Sequence, residues 1–143
     1  MPVIENEIFI RATPAQVWAV LADATRYPEW NPRLRRIDGT LSAGAVVTLH
    51  YAQVAGRFVV DVDACAPELE LRWSGPRNGA RHLMRASHWF RLSPQGAGTR
   101  LLHGERFDGV LAWSIWPLLR PIVATNHAAV NAAICARCEP GRA

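Results

Sequence analysis

One long apolar run, Val110 to Cys138, constrains the fold of this chain more than any other stretch. At helical spacing its larger apolar side chains fall on one stripe: Ile115, Leu119, Ile122, Val123, Val130, Ala133 and Ile134. Pro117 and Pro121 lack a backbone N–H, so the helix either begins near Pro121 or bends there. We therefore expect the rest of the chain to wrap around one principal C-terminal helix.

Asn126 falls near the middle of this apolar stripe. A buried amide is costly unless it is hydrogen-bonded. Asn126 is therefore expected either to pair with a neighbouring backbone group or to face a space that holds a polar partner.

Length and composition predict a single domain, residues 1–143. No apolar run is long enough for a membrane span, because Arg120 and two prolines interrupt the richest segment. The N-terminal segment carries acidic residues and no basic region, unlike a signal peptide. We therefore expect a cytoplasmic protein.

The basic residues exclude two classes of function. All 16 are arginine, so chemistry through a lysine Schiff base is excluded. Many arginines fall on one parity of the predicted strands, which is typical of a solvent-facing sheet surface. A basic groove interleaved with aromatic residues is absent, so we expect no binding of nucleic acid.

The cysteines predict neither a disulfide nor a metal site. Their number is odd, and a cytoplasmic setting disfavours disulfides. Cys135 and Cys138 form a CARC motif with no second ligand pair to complete a zinc site. The motif also closes a helix, whereas reactive thiols usually lie at helix N-termini.

The first part of the chain predicts a strand followed by two short helices. Isoleucine alternates with charged residues up to Arg11, as in a half-buried strand. Thr13 to Gln16 is a capping box with proline at the first helical position. Arg26 to Pro32 permits one further helical turn, and its Tyr27 and Trp30 are expected to wedge between helix and sheet.

Turn signals between Arg35 and Phe107 separate six predicted strands that can form a meander. The inward side chains of the first strands are expected to be Val47, Leu49, Tyr51, Phe58, Val60, Val62, Leu69, Leu71 and Trp73. The last two strands, about Ala80 to Leu92 and Thr99 to Phe107, should form a curved hairpin. Together these elements predict an α+β fold of order β-α-α-β6-α, a seven-stranded antiparallel sheet curved around the terminal helix.

Three segments carry a resemblance to a known superfamily: ATPAQVWAVLAD, RYPEWNPRLRRIDG, and TRLLHGERFDG before the long helix. In this order they resemble the SRPBCC superfamily of START-like and birch-pollen-allergen-like helix-grip proteins, and most of all its bacterial polyketide cyclase/dehydrase-like branch. The resemblance implies a hydrophobic cavity between the sheet and the terminal helix. It also implies binding of lipids, quinones, polyketides or hormones, with catalysis in a minority of members.

The strand parity of the hairpin places three histidines and a carboxylate on the predicted cavity wall. Its inward residues are His82, Met84, Ala86, His88, Phe90, Leu92, Leu101, His103, Glu105 and Phe107. His103, Glu105 and His88 are thus candidates for a general acid or base, because burial and pairing shift both pKa values toward neutrality. The alternative is that His103 and Glu105 lie hydrogen-bonded near the mouth and take no part in function.

A metal site is the other possible role for these side chains, if His82, His88, His103 and Glu105 converge on one ion. Such a site needs three ligands at about 2.0–2.2 Å from one ion, which strand parity alone does not establish. We therefore predict no metal and no cofactor.

The predicted function is binding of a small hydrophobic or amphipathic ligand, as a carrier or sensor. The alternative is a cyclase or dehydratase in which His103 or His88 moves a proton and Glu105 or Asn126 orients the substrate. The predicted ligand-binding residues are Trp30, Tyr51, Phe58, Val60, Leu71, Trp73, His82, Met84, His88, Phe90, Leu101, His103, Glu105, Ile122, Asn126 and Val130.

The segment from Val110 to Trp116 has two interpretations. It either forms a movable lid over the cavity or docks the start of the helix. If exposed, Trp113 and Trp116 would suit a transient contact with a membrane surface. The chain is expected to be a monomer or a homodimer.

Overall fold

The computed structural model describes residues 1–77 and 79–139. The helices and strands follow one another as β1 (Val3–Ile10), α1 (Pro14–Ala22), α2 (Tyr27–Trp30), β2 (Leu34–Asp38), β3 (Val46–Tyr51), β4 (Arg57–Ala66), β5 (Glu70–Gly75), β6 (Arg85–Gln95), β7 (Gly98–Asp108) and α3 (Ala112–Cys138). Short 3-10 turns at Ala24–Arg26 and Gly79–His82 complete the order.

All seven strands form one antiparallel sheet in the order β1-β7-β6-β5-β4-β3-β2. Strands β2 to β7 pair with their sequence neighbours, and β1 adds to the free edge of β7. The register shifts between Leu34 and Arg36 and between Val62 and Ala64. Such irregularities bend strands and increase their twist. The predicted helix-grip fold is confirmed.

Local hydrogen bonds fix the first two helices. The Gln16 N–H donates to Thr13 Oγ1 at 3.2 Å, and the Thr13 N–H donates to Gln16 Oε1 at 2.9 Å. Tyr27 is fully buried, and its hydroxyl donates to the Leu21 carbonyl at 2.7 Å. Trp30 packs beside it with ring centroids 4.8 Å apart. The capping box is confirmed, and Tyr27 and Trp30 lie in the core as expected.

Helix α3 begins at Ala112 and contains both prolines, which excludes the alternative of a start near Pro121. Its buried residues are Ala112, Val123, His127, Val130, Asn131 and Ile134. The buried face of α3 is therefore slightly rotated relative to the predicted apolar stripe. Ile122 is 55% exposed, while the polar residues His127 and Asn131 are buried. A stripe drawn through apolar residues alone could not include them. Within the described part of the chain, no helix combines the length and hydropathy that a membrane crossing requires.

Strand β6 begins at Arg85, five residues later than predicted for this hairpin. The Leu83 and Met84 N–H groups both donate to the Ala80 carbonyl, which closes a tight turn in place of an extended strand. His82 lies in that turn and is exposed, so its predicted inward position is wrong. Leu69 also departs from its predicted parity, because it precedes β5 and is 62% exposed.

The buried apolar residues form two clusters of unequal size. The large cluster joins α1, α2 and the C-terminal half of α3 to the concave face of the sheet. The small cluster contains Phe107, Ala112 and Val123 and lies under the start of α3. A cavity between the sheet and the helix is lined by residues of both clusters.

Candidate functional site

A cavity of about 460 Å³ lies between the concave face of the sheet and α3. Its volume falls within the range of small-molecule sites in proteins. Strands β3 to β7 supply most of the wall, and Leu119 to Val130 of α3 cover it. Val54, Phe58 and Ile122 line the cavity and are each partly exposed, so the cavity opens to the surface beside them.

Most of the predicted ligand-binding residues lie on this wall. They are Tyr51, Phe58, Val60, Trp73, Met84, His88, Phe90, His103, Glu105, Ile122, Asn126 and Val130. Trp30, Leu71 and Leu101 are buried in the large cluster and are not part of the cavity wall. His82 lies outside because its strand begins later than predicted. The ligand-binding role of the residues on the wall stays a prediction.

Three histidines meet in the wall of the cavity, one each from β6, β7 and α3. His88 Nε2 and His103 Nε2 are 2.7 Å apart, and the rings of His103 and His127 stack with centroids 3.9 Å apart. His103 and His127 are buried, and His88 is partly buried. The sequence analysis did not identify His127. The available signal was its spacing, since His127 is four residues from both Val123 and Asn131 on the buried face of α3.

The hydrogen bonds of His103 define its tautomer. Its Nδ1–H donates to Asn131 Oδ1 at 2.7 Å, because an amide oxygen can only accept. In the neutral ring Nε2 then carries the lone pair and accepts the 2.7 Å hydrogen bond from His88 Nε2–H. Asn131, which the sequence analysis did not identify, is therefore the amide that orients His103, while the predicted Asn126 lines the cavity.

Glu105 bonds to His127 and not to His103. The His127 Nε2–H donates to Glu105 Oε1 at 3.2 Å, and the Glu105 side chain remains 21% exposed. The predicted pair of His103 and Glu105 is thus divided between two partners on α3. The structure replaces that pair with two linked pairs, His103 with Asn131 and Glu105 with His127.

Burial favours the neutral ring at His88 and at His103. Desolvation, followed by the charges of His103 and His127, lowers the pKa of His88 well below its usual 6.5. Desolvation and the charge of His127 lower the pKa of His103 to about 3, against the opposing effect of the Asn131 hydrogen bond. Both rings therefore carry a lone pair at neutral pH.

Aromatic packing holds the histidines in place. The Trp73 ring stacks on His88 with centroids 4.8 Å apart, and the Phe90 ring stacks on His103 with centroids 4.5 Å apart. Neighbouring strands carry these rings, so the sheet itself sets the positions of the two imidazoles. The site is therefore built on rigid elements.

One protein family matches almost the whole chain. The family described as polyketide cyclase / dehydrase and lipid transport matches residues 1–139. The chain belongs to this family. No curated protein has a sequence that matches it.

Solved structures share the fold at low sequence identity. The Aha1 dimer from Colwellia psychrerythraea has a TM-score of 0.77 at 17% identity, with each chain fully covered by the other. A START superfamily protein from Mycobacterium smegmatis has a TM-score of 0.74 at 15% identity, covering 95% of this chain and 96% of that one. DynU16, a putative protein of the dynemicin biosynthetic locus, has a TM-score of 0.75 at 14% identity, covering 98% of this chain and 48% of that one. These similarities establish the helix-grip fold.

Proposed function

We propose that the chain binds a small hydrophobic or amphipathic ligand in the cavity and acts as a carrier or sensor. The observation that carries this proposal is the cavity itself, whose wall is mostly apolar, with polar groups from the histidine cluster, Glu105 and Asn126 and from Asn31, Arg33 and Tyr51. Ligand sites in proteins typically combine an apolar lining with a few placed polar groups. The family's description, which includes lipid transport, agrees with such a role.

The polar groups indicate how a ligand would lie. His88, His103, Glu105 and Asn126 line the cavity together, while Leu49, Val60 and Phe58 line other parts of it. A ligand with one polar end would place that end against the histidines and Glu105. Its apolar remainder would contact the aliphatic and aromatic side chains of β3 and β4.

Titration with an environment-sensitive apolar dye tests the proposal. Ala86 lines the cavity on β6, so Ala86→Trp should fill part of the space and weaken dye binding by at least about tenfold. Ala136→Trp is the matched control, because Ala136 is exposed on α3 and is not part of the lining. Equal dye binding by both variants would contradict the proposal. Mass spectrometry of organic extracts from purified protein would identify a retained ligand.

Acid–base catalysis is a second candidate function, favoured by the direct hydrogen bond between His88 and His103. A neutral imidazole can accept a proton, and a second ring bonded to it can relay that proton. In a cyclase or dehydratase the His88–His103 pair would take the proton from the carbon beside a carbonyl group, and Glu105 or Asn126 would orient the substrate. In the dehydration the C–O bond of the β-hydroxyl group then breaks, and the hydroxyl group takes up that proton and leaves as water. A β-hydroxy ketone tests this: His103→Gln should slow its dehydration by roughly 10²- to 10⁴-fold.

We also propose that a lipid surface is the source or destination of the ligand. Trp113 is 65% exposed, and Val110 and Leu118 are also exposed, while residues 110–138 contain two arginines and no carboxylate. Arg137 pairs with Glu29, but Arg120 is exposed in the same segment as these apolar residues, and such a segment suits a lipid surface. Trp116 contributes less than expected, because it packs against Phe107 with ring centroids 5.5 Å apart. Cosedimentation with phosphatidylserine vesicles should decrease for Trp113→Ser and remain unchanged for Leu69→Ser, because Leu69 is 62% exposed and lies outside this segment.

A further inference from the structure

We propose that His88, His103 and His127 form a binding site for a divalent transition-metal cation, with zinc as the favoured ion. One ring nitrogen from each histidine lies within 4.8 Å of the other two. In a tetrahedral zinc site, ligand nitrogens about 2.0–2.1 Å from the ion lie about 3.3 Å apart. The three rings can reach a common ion if the stacked His103 and His127 rings turn apart and His88 releases its hydrogen bond to His103 Nε2.

Two of the three histidines already have the hydrogen bonds that metal-bound histidines make. His103 donates Nδ1–H to Asn131, and His127 donates Nε2–H to Glu105. Each bond fixes a tautomer and leaves the opposite nitrogen as a lone pair. Carboxylate and carbonyl partners of this kind orient histidine ligands and raise their basicity.

The cluster also has buried nitrogens without partners. His88 Nδ1 and His127 Nδ1 are buried and form no hydrogen bond with the described residues. His103 Nε2, by contrast, accepts a hydrogen bond from His88. A buried lone pair is costly when it remains unmet. A cation that accepts electron density from all three rings removes that cost.

Charge and access agree with a cation at this position. Glu105 supplies a negative charge next to His127 and lines the cavity, which opens to the surface. Imidazole ligands suit zinc, copper, nickel and iron better than magnesium or calcium. With three protein ligands, the fourth position remains for water or for an oxygen atom of a cavity ligand.

This proposal revises the expectation of no metal, which considered His82 and lacked the helix residue His127. It does not involve the CARC motif. Burial, followed by the charge of Cys135, raises the pKa of Cys138 to about 12, so this thiol stays protonated at neutral pH. A cation at Cys138 would have to displace this proton, and the motif has no second ligand pair to complete a zinc site.

Metal uptake by the purified full-length chain tests the site. The protein carries Cys135→Ser and Cys138→Ser to exclude thiol binding, is stripped with a chelator and is then dialysed against zinc. We expect one zinc per chain by elemental analysis, and a visible absorption spectrum of tetrahedral cobalt when cobalt replaces zinc. If the protein takes up no zinc even at roughly millimolar zinc, its affinity is far weaker than that of protein zinc sites. This result would overturn the proposal and indicate ordered water in the cluster.

Variants separate the three histidines from other sites. His88→Gln and His127→Gln should abolish stoichiometric uptake, whereas the exposed His82→Gln should retain it. Glu105→Gln keeps side-chain volume and should weaken zinc affinity by about 10- to 100-fold, as expected for an outer partner. If a histidine variant loses the circular dichroism spectrum of a folded protein, the zinc affinity of Glu105→Gln tests the site in its place. Unchanged zinc affinity in Glu105→Gln and in a folded histidine variant would refute the site.

The metal proposal is independent of the proposed ligand. Dye binding is measured on chelator-treated protein, so loss of dye binding in Ala86→Trp does not depend on zinc. Zinc uptake without dye binding would support the metal site and contradict the carrier function. Dye binding without zinc uptake would support the carrier function and contradict the metal site.

Discussion

The two halves of α3 cover the same sheet but have different surroundings. The C-terminal half places Val130 and Ile134 in the large cluster, where α1 and α2 also pack. The N-terminal half has only the small cluster beneath it, and Ile122 is largely exposed at the cavity mouth. The histidine cluster lies between these halves. Stability is therefore expected to depend on one end of the helix and binding on the other.

The largest expected effect is at the packed end. Ile134 is fully buried, and Ile134→Ala should lower the free energy of unfolding by about 2–5 kcal/mol, because it removes buried carbons and leaves a cavity. Urea denaturation measures this change. A loss below about 1 kcal/mol would show that the packed end is not tightly packed.

The boundary between the halves should make stability depend on pH. The folded-state pKa of His103 is about 3, below the usual 6.5, so the unfolded chain binds the proton first as pH falls. As the pH falls from 6.5 to about 3, His103 should thus lower the free energy of unfolding by about 1.4 kcal/mol per pH unit. Above pH 6.5 it should contribute no pH dependence.

Urea denaturation at several pH values measures this slope. His103→Gln should reduce this slope by about 1.4 kcal/mol per pH unit, which is the contribution of one proton. His82 is exposed, so His82→Gln serves as the control and should leave the slope unchanged. Parallel profiles for the parent and His103→Gln would mean that His103 is protonated equally in both states.

Asn131 should matter more than Asn126, although both lie on α3. Asn131→Ala leaves the buried His103 Nδ1–H without its acceptor and should cost about 1–3 kcal/mol of stability. Asn126 is only partly buried on the cavity wall, so Asn126→Ala should cost less and act mainly on dye affinity. Thermal unfolding of the two variants compares them, and the reverse order of stability would contradict this assignment.

The smallest stability effect is expected at the cavity mouth. Ile122 is 55% exposed, so Ile122→Ala should change the free energy of unfolding by less than about 0.5 kcal/mol. Its side chain lines the cavity, and dye affinity should nevertheless decrease. A destabilisation close to that of Ile134→Ala would remove the distinction between the two halves.

The local pattern of the sequence determined the order of elements and most of the cavity wall. Turn signals separate the strands, Thr13 and Gln16 start α1, and period-two alternation places Tyr51, Val60 and Trp73 on the inner face. These features depend on neighbours within a few residues, so the sequence alone is enough to read them.

Only the tertiary structure decided where the chain is packed and where it is open. Parity placed His82 inward, but a turn closed on the Ala80 carbonyl delays the strand, and Leu71 and Leu101 are covered by the large cluster. His127 and Asn131 are buried because α3 lies against the β7 residues Glu105 and His103. Those contacts join residues far apart in the sequence, and no local pattern encodes their distance or orientation.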